Sequence, residues 1–384
     1  MFDLRLEYIA KWVRDRGYAS VALQLPEGLK VRATEVVDFL TRETGVNCVI
    51  LGDPCYGACD LFIRYKDLAE ALVHFGHSPI PSQGDDPDIL YIEADMPLDI
   101  RESLAKVTDA LGQRVGILAT VQYIKCIPQA EDVLKASGRS VAVGMGDRRV
   151  CYPGQVLGCN CSSAYAVADQ VDEFLYIGEG DFHPLAAAFG VNKPIRVFNP
   201  VTGELRSVDD VRDRILRKRF ANIQRAKDAQ SFLVIVCDKI GQRRDKLADG
   251  LVGKIRSKGL SAYKAYMNEL SPQNLMAYRV DAYVCTACPR IAMDDAARYD
   301  RPMLTPPELE VAIGIREWEN YEFDQIRPRA NHFYYPVRAF RNHEEHAGAH
   351  GFRTSGCEGR HRCSRRQDIC GGMCRPFPGQ RDHL

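Results

Sequence analysis

Three cysteines lie in short segments punctuated by Gly and Pro, each closely following a predicted strand. Cys59 follows Pro-Cys-Tyr-Gly-Ala, Cys159 follows Gln-Val-Leu-Gly, and Cys288 lies in Thr-Ala-Cys-Pro-Arg. Open α/β sheets place their reactive groups in loops at the carboxyl ends of their strands, and thiolates act as nucleophiles and metal ligands. These segments therefore indicate metal or redox chemistry.

An iron–sulfur cluster and a zinc ion are the two metal centres that such thiolates could form. Three thiolates on a four-iron cubane leave one iron open for a substrate, whereas four cysteine ligands usually serve electron transfer. Structural zinc sites normally use closely spaced cysteine pairs, and Cys55 with Cys59 could form such a pair. Three unrelated buried thiols remain a further interpretation, because spacing alone does not show that distant cysteines converge.

The elements that must position these cysteines are short apolar runs that alternate with amphipathic stretches. The runs are rich in Val, Ile and aromatic residues, and the stretches between them are long enough for crossover helices. They predict strands at 20–25, 48–51, 72–75, 89–93, 115–119, 141–145, 174–177, 195–198, 232–237, 262–266 and 282–285. This alternation predicts an α/β fold with small parallel sheets.

The same pattern repeats along the chain. Segments that begin at Ser20, Arg114 and Ser231 each open a strand–helix–strand series of about one hundred residues. We therefore predict three similar Rossmann-like domains, 1–98 with Cys59, 99–204 with Cys159 and 205–340 with Cys288. If the three domains close into a triangle, the three thiolates can converge on a central point.

Residues 341–384 form a tail rich in Cys, His and Arg, without a periodic apolar pattern. Its cysteines are Cys357, Cys363, Cys370 and Cys374. Their spacing is not that of a standard zinc knuckle, so both a second metal site and a loosely ordered, thiol-rich appendage remain open.

Composition excludes several classes of protein. The 51 Lys and Arg balance 51 Asp and Glu, so the chain lacks the overall charge that attracts nucleic acid or an anionic membrane. No apolar run is long enough for a membrane span, and the first five residues, Met-Phe-Asp-Leu-Arg, are unlike a secretion signal. We expect a cytoplasmic protein with no membrane and no direct nucleic-acid partner, whose 14 cysteines do not form a disulfide framework.

Several motifs, in order from about Gln24 to Gly314, carry a resemblance to a known family. They are Tyr56-Gly-Ala-Cys59-Asp60, Thr120-Val-Gln122, Gly154-Gln-Val-Leu-Gly-Cys159, Gly180-Asp-Phe-His183-Pro184, Gly241-Gln242-Arg243 and Ala287-Cys288-Pro-Arg290. Together they closely resemble the archaeal diphthamide synthases, the 2-(3-amino-3-carboxypropyl)histidine synthase family. The resemblance implies a homodimer of three-domain subunits, in which Cys59, Cys159 and Cys288 hold a central 4Fe-4S cluster.

The resemblance also implies the reaction. The reduced cluster would bind S-adenosylmethionine and release its 3-amino-3-carboxypropyl group as a radical, leaving methylthioadenosine. This group would join the imidazole C2 of a histidine in translation elongation factor 2, which is the first step of diphthamide biosynthesis. The chain would then be a transferase with noncanonical radical chemistry, and an electron donor would be required to reduce its cluster.

Two neighbouring cysteines could replace the expected ligands. Cys161 lies two residues after Cys159, and Cys285 lies three before Cys288, although the motif frames favour Cys159 and Cys288. The common radical signature Cys-x3-Cys-x2-Cys is absent, because its third position after Cys55 and Cys59 is Phe62. The sequence thus excludes local cluster binding through that signature.

Four polar residues are candidates for the rest of the site. Arg290 could bind the carboxylate of S-adenosylmethionine with both arms of its guanidinium, and Gln242 could hydrogen-bond its amino acid or adenosine end. A structural ion pair and a turn-stabilising role are the respective alternatives. For His77 and His183 we favour structural roles.

Two other functions compete with this prediction. A quinolinate synthase-like enzyme also uses a three-cysteine cluster between α/β domains, with the open iron as a Lewis acid. A noncatalytic subunit could use its cluster only to transfer electrons. The Tyr-Gly-Ala-Cys-Asp and Ala-Cys-Pro-Arg frames argue against the first, and the open iron left by three ligands argues against the second.

Overall fold

Three separate sheets contain the strands, and each sheet is built from one continuous stretch of the chain. The computed structural model describes residues 2–328. Neighbouring strands are parallel in all three sheets, except for the last pair of the second sheet. Parallel strands require crossover connections, which explains the helices between them.

The first sheet contains β1 (Ser20–Gln24), β2 (Asn47–Ile50), β3 (Ala71–Phe75) and β4 (Ile89–Ile92), in the order β2-β1-β3-β4. Helices α1 (Leu6–Arg16) and α2 (Ala33–Thr44) share a core with it, in which Ile9 and Val36 join Val73. Helix α1 ends at Gly17, whose φ of 69° is left-handed. Glycine adopts this conformation without a Cβ clash and is therefore suited to end the helix.

The second sheet contains β5 (Arg114–Ala119), β6 (Ser140–Ala142), β7 (Glu173–Ile177), β8 (Ile195–Phe198) and β9 (Leu205–Ser207), in the order β6-β5-β7-β8-β9. The helices of this part of the chain are α3 (Arg101–Ala105), α4 (Cys126–Ala136), α5 (Ser162–Tyr165) and α6 (Phe182–Val191). Along β7, Leu175 belongs to the core that contains α4, and Phe174 belongs to the core that contains α5 and α6. Both faces of β7 are therefore covered, which accounts for its continuous apolar run.

The third sheet contains β10 (Ser231–Cys237), β11 (Ser261–Met267), β12 (Ala282–Cys285) and β13 (Met303–Leu304), in the order β11-β10-β12-β13. Its helices are α7 (Asp209–Ala226), α8 (Asp245–Ser257), α9 (Pro272–Leu275), α10 (Pro289–Met293) and α11 (Pro306–Ala312). In the middle strand β10, Val234 and Ile235 are both fully buried and belong to different cores. This sheet is thus also covered on both faces.

The predicted α/β class with small parallel sheets is confirmed. All eleven predicted strands are present, ten of them with bounds within one residue, and the strand predicted at 141–145 ends at residue 142. The division into domains at 98/99 and 204/205 stays a prediction, and the tail from residue 341 lies outside the described residues. Within residues 2–328, no helix combines the length and the apolar character that a membrane crossing requires.

A buried ion pair connects one strand of the third sheet with three of the helices around it. Helix α7 inserts Arg219, which is 2% exposed, into the interior. Its Nε donates to Glu308 at 2.8 Å, and its other nitrogens donate to Glu308 and to the carbonyls of Met303 and Ala292. Glu308 also accepts the backbone N–H of Thr305 at 2.8 Å, which caps α11. Arg219 thereby connects α7 with α10, β13 and α11.

We expect Arg219→Met to destabilise the protein by about 3–5 kcal/mol, because it leaves the Glu308 carboxylate buried without its cation. Urea unfolding measures this loss. The double variant Arg219→Met with Glu308→Leu should recover much of it, since no buried charge remains. Arg217→Met on the exposed side of α7 is the control, with a change below about 0.5 kcal/mol. Equal midpoints for Arg219→Met and Arg217→Met would contradict this role of the ion pair.

Candidate metal centre

Each of the three predicted cysteines lies in a loop from a different sheet. Cys59 lies in the short 3-10 turn Ala58–Asp60 after β2, and Cys159 lies in the loop that follows β6. Cys288 directly precedes α10, three residues after β12 ends. All three loops leave the carboxyl ends of parallel strands, where α/β proteins hold their ligands.

The charge of Cys159 acts on the ionisation of both Cys59 and Cys288. Burial, and then the charge of Cys159, raises the pKa of the Cys59 thiol to about 12. Burial also raises the pKa of the Cys288 thiol, and the charges of Cys159 and Cys59 act in the same direction. Cys59 and Cys288 therefore resist becoming thiolates, and a positively charged metal centre would oppose that effect.

Hydrogen bonds link the loops of Cys59 and Cys159 through a third segment. The backbone N–H of Gly241 donates to the Cys59 carbonyl at 3.0 Å. Buried Arg149 donates from Nη1 to the Gly241 carbonyl at 3.0 Å, and its Nη2 lies 3.6 Å from Cys159 Sγ. Gln242 Nε2 lies 3.3 Å from Cys59 Sγ. Two of the three sulfurs therefore face N–H donors.

A lysine strengthens the contact between the first and third sheets. Lys239 Nζ lies 2.8 Å from Asp60 and 3.2 Å from Glu269, and 4.8 Å from the centre of the Tyr56 ring. Burial opposes the charge of Lys239, but the hydrogen bond and charge of Asp60, with Glu269, outweigh it and raise the pKa of Lys239. The cation thus remains charged beside the Cys59 loop.

The segment after α11 contacts the loops of the other two cysteines. The Ile326 N–H donates to the Cys159 carbonyl at 2.8 Å. Asp324 pairs with Arg244 at 2.6 Å, and Arg244 donates to the carbonyls of Thr286 and Ala287. Since Ala287 immediately precedes Cys288, this segment ties the loops of Cys159 and Cys288 to one another.

The two neighbouring cysteines point into hydrophobic cores instead. Cys161 is fully buried among the apolar residues around β7, and its Sγ lies 3.6 Å from the Ala186 carbonyl. Cys285 is fully buried in the core of the third sheet, with its Sγ 3.7 Å from the Cys288 carbonyl. This packing favours Cys159 and Cys288 as the ligands of a shared centre.

The predicted polar residues differ in burial and in their contacts. Gln242 is 5% exposed and contacts Cys59, as described above. Arg290 is exposed; it pairs with Asp294 at 2.9 Å, and its guanidinium carbon lies 4.5 Å from the centre of the Phe182 ring. Burial, and then the charges of Arg290 and His77, lowers the pKa of His183 to about 4, so its ring is neutral at neutral pH.

Sequence reasoning missed Arg149, Gly241 and Lys239. Gly241 lies in a motif that carried the family resemblance, but the motif did not indicate its contact with Cys59. Arg149 and Lys239 had no signal, because their partners lie in other sheets and are distant in the sequence.

The fold and the site define an α/β protein with a candidate metal centre between loops of three sheets. Residues 25–323 match the family model described as "Putative diphthamide synthesis protein". The chain therefore belongs to the diphthamide synthesis protein family, and the resemblance indicated by its motifs is confirmed.

Individual relatives match over most of their length. The chain is 35% identical over 323 residues to the 2-(3-amino-3-carboxypropyl)histidine synthase of Pyrococcus horikoshii, covering 83% of this chain and 92% of that protein. It is 30% identical over 308 residues to the human 2-(3-amino-3-carboxypropyl)histidine synthase subunit 1, covering 78% of this chain and 69% of that protein. The crystal structure of Pyrococcus horikoshii Dph2 with a 4Fe-4S cluster matches with a TM-score of 0.78 and 34% identity, covering 86% of this chain and 97% of that one.

We expect Gly241→Ala to displace the Cys59 loop, because an added Cβ would lie 2.4 Å from Cys59 Cα and 2.5 Å from its Cβ. Real Cβ contacts are never this short, so either the backbone must move or the Gly241 hydrogen bond must break. The expected loss in urea unfolding is about 1–3 kcal/mol. Gly253→Ala is the matched control, because nothing lies within 4 Å of its added Cβ on α8, and it should stabilise the helix by about 0.5–1 kcal/mol. Equal effects of the two substitutions would refute the close approach.

Proposed function

We propose that this chain is a 2-(3-amino-3-carboxypropyl)histidine synthase, a transferase that performs the first step of diphthamide biosynthesis. Its donor would be S-adenosylmethionine, and its acceptor the imidazole C2 of a histidine in translation elongation factor 2. The contacts that join the loops of Cys59, Cys159 and Cys288 from three sheets are the observation that carries this proposal. It is supported by the similarity to the Pyrococcus horikoshii enzyme, which extends over 83% of the chain.

We propose Cys59, Cys159 and Cys288 as the ligands of a 4Fe-4S cluster like that in the Dph2 crystal structure. The surrounding donors fit an anionic cluster, because Gln242 and Arg149 direct N–H groups at two of the sulfurs. Arg149 also has a buried Nε without a hydrogen-bond partner among the described residues. When bound, the cluster would supply an iron with an open position for S-adenosylmethionine.

The residues of the chain would bind and orient the substrate. Arg290 lies two residues after Cys288 and is exposed enough to reach a carboxylate with its guanidinium. Its stacking on Phe182 holds the guanidinium close to His183. Gln242 donates a hydrogen bond to the Cys59 sulfur, and it would contact the substrate from that side of the site. Fixed groups of this kind select the bond that breaks by orienting the sulfonium.

The wider arrangement is also part of the proposal. Three sheets from residues 20–92, 114–207 and 231–304 support three domains, 1–98, 99–204 and 205–340, in a triangle around the cluster. We propose a homodimer, as the family resemblance implies. We also propose that it acts in the cytoplasm, because the proposed protein substrate is a translation factor. The cluster would require an electron donor there, since cleavage of the sulfonium consumes an electron.

We expect Cys59→Ala, Cys159→Ala and Cys288→Ala each to lose stable iron and sulfide binding, because a cubane with only two thiolates exposes a second iron. Cys161→Ala and Cys285→Ala are the controls and should keep the cluster. The measurement is iron and sulfide analysis after anaerobic purification. If Cys161→Ala lost the cluster while Cys159→Ala kept it, the ligand assignment would be wrong.

The reaction itself is tested by incubating the loaded protein with S-adenosylmethionine, dithionite and elongation factor 2. Methylthioadenosine should form, and the factor should gain one 3-amino-3-carboxypropyl group. A quinolinate synthase-like enzyme or an electron-transfer subunit would form no methylthioadenosine. If 5′-deoxyadenosine were the sole product, a different bond of S-adenosylmethionine would be broken and the proposed reaction would fail.

We expect Arg149→Met to lower the reduction potential of the cluster, because it removes a positive charge and an N–H donor near Cys159 Sγ. A redox titration followed by electron paramagnetic resonance measures the midpoint. Arg139→Met is the matched control, because this Arg side chain is 7% exposed and donates to the Leu111 carbonyl away from the cysteines. If both variants kept the wild-type midpoint, Arg149 would not act on the cluster.

A further inference from the structure

A second group of side chains that could ligate a metal lies in the first sheet and in the loop that leads to Cys59. It consists of Cys55 in the loop after β2, His74 in β3 and His77 just after β3. One ligand atom from each lies within 4.8 Å of the other two, and no other three such side chains within residues 2–328 meet this spacing. Cys55 is 2% exposed and His74 is fully buried. Cys59, Cys159 and Cys288 do not form so tight a group.

The hydrogen bonds behind His74 leave one of its ring nitrogens available to a metal. Parallel pairing of β1 with β3 places Gln24 beside His74. Gln24 Nε2 donates to the Asp60 carbonyl at 2.8 Å, and its Oε1 accepts the Phe62 N–H at 3.2 Å, which fixes the orientation of the amide. The same Oε1 lies 2.8 Å from His74 Nδ1, which must therefore carry the hydrogen.

The Nε2 of His74 consequently carries a lone pair, which accepts a hydrogen bond from His77 Nδ1 at 3.0 Å and which a metal could take instead. A histidine that binds a metal through one nitrogen commonly donates its other N–H to an oxygen, which sets its tautomer. Gln24 supplies that oxygen in this protein. Two imidazole nitrogens about 3 Å apart also approach the separation of neighbouring ligands around a tetrahedral ion.

We propose that Cys55, His74 and His77 bind one divalent cation of the zinc and ferrous iron class. A thiolate with two imidazoles suits these ions, whereas magnesium and calcium prefer oxygen ligands. Binding would release the Cys55 thiol proton to solvent and would move the His77 hydrogen from Nδ1 to Nε2, so that both imidazoles remain neutral ligands. Three protein ligands would leave a fourth position for water or another small ligand, as in zinc sites that are not purely structural.

This cation would connect the Cys59 loop with the first sheet. Cys55 lies four residues before Cys59, and its thiol makes a long contact of 3.9 Å with the Gly57 carbonyl. Coordination by His74 and His77 would anchor this loop to β3 through bonds stronger than that contact. The site would therefore order the loop that carries Cys59, whatever reaction the protein performs, and the inference does not depend on the proposed function.

Cobalt(II) is the probe for this site, because tetrahedral cobalt bound to a thiolate absorbs intensely in the visible range. The full chain is purified anaerobically, loaded with iron and sulfide, treated with a chelator and titrated with cobalt. We expect about one cobalt per chain in addition to the iron, with displacement by zinc. Cys55→Ala and His77→Gln should lose this cobalt, whereas the control Cys151→Ala, which removes a half-buried thiol, should keep it.

Equal cobalt uptake by the wild type, Cys55→Ala and His77→Gln would overturn the proposal, because the ion would then lie elsewhere. No uptake by the wild type would overturn it too. X-ray absorption at the cobalt edge of the wild type covers the case in which the variants fail to fold. One sulfur and two imidazole nitrogens support the site, and three or four sulfurs refute it. Iron content and methylthioadenosine yield report on the proposed function separately.

Discussion

The close approach of Gly241 to Cys59 is the constraint on which the candidate centre depends. A side chain at position 241 would overlap the Cys59 backbone, so only glycine allows the loop after β10 to reach the loop after β2. The Gly241 N–H donates a hydrogen bond to the Cys59 carbonyl, and the Gly241 carbonyl accepts one from Arg149. The next residue, Gln242, donates to the Cys59 sulfur. One dipeptide of the third sheet thus positions groups from the first and second sheets.

Buried ionic groups hold the surrounding loops in place. Arg244 links Asp324 to the backbone just before Cys288, while Lys239 links Asp60 to Glu269 beside Cys59. Removing one partner from such a pair leaves an uncompensated buried charge, which costs far more than a surface ion pair contributes. These pairs therefore permit few alternative positions of the loops, which is what a centre assembled from three distant segments requires.

Strands were predictable from the sequence because both faces of a parallel sheet are buried, so that each strand is a continuous apolar run. The strands β9 and β13 were missed because they have only three and two residues. The cysteine loops could be predicted from their motif frames. The partners Arg149 and Lys239 could not, because their contacts depend on how the sheets pack. Likewise, the grouping of Cys55 with His74 could not be predicted, because it depends on how the loop after β2 packs against β3.

The separation of Cys59, Cys159 and Cys288 along the chain has a consequence for biosynthesis. A polypeptide emerging from the ribosome holds at most two of the proposed ligands until residue 288 has been made, and the segment at Asp324 and Ile326 that ties two of the loops follows later still. Iron delivered to a shorter nascent chain would find an incomplete ligand set. Under this assignment, the cofactor can be inserted only after residue 288 has been made, and a truncated chain ending before Cys288 would be unable to mature.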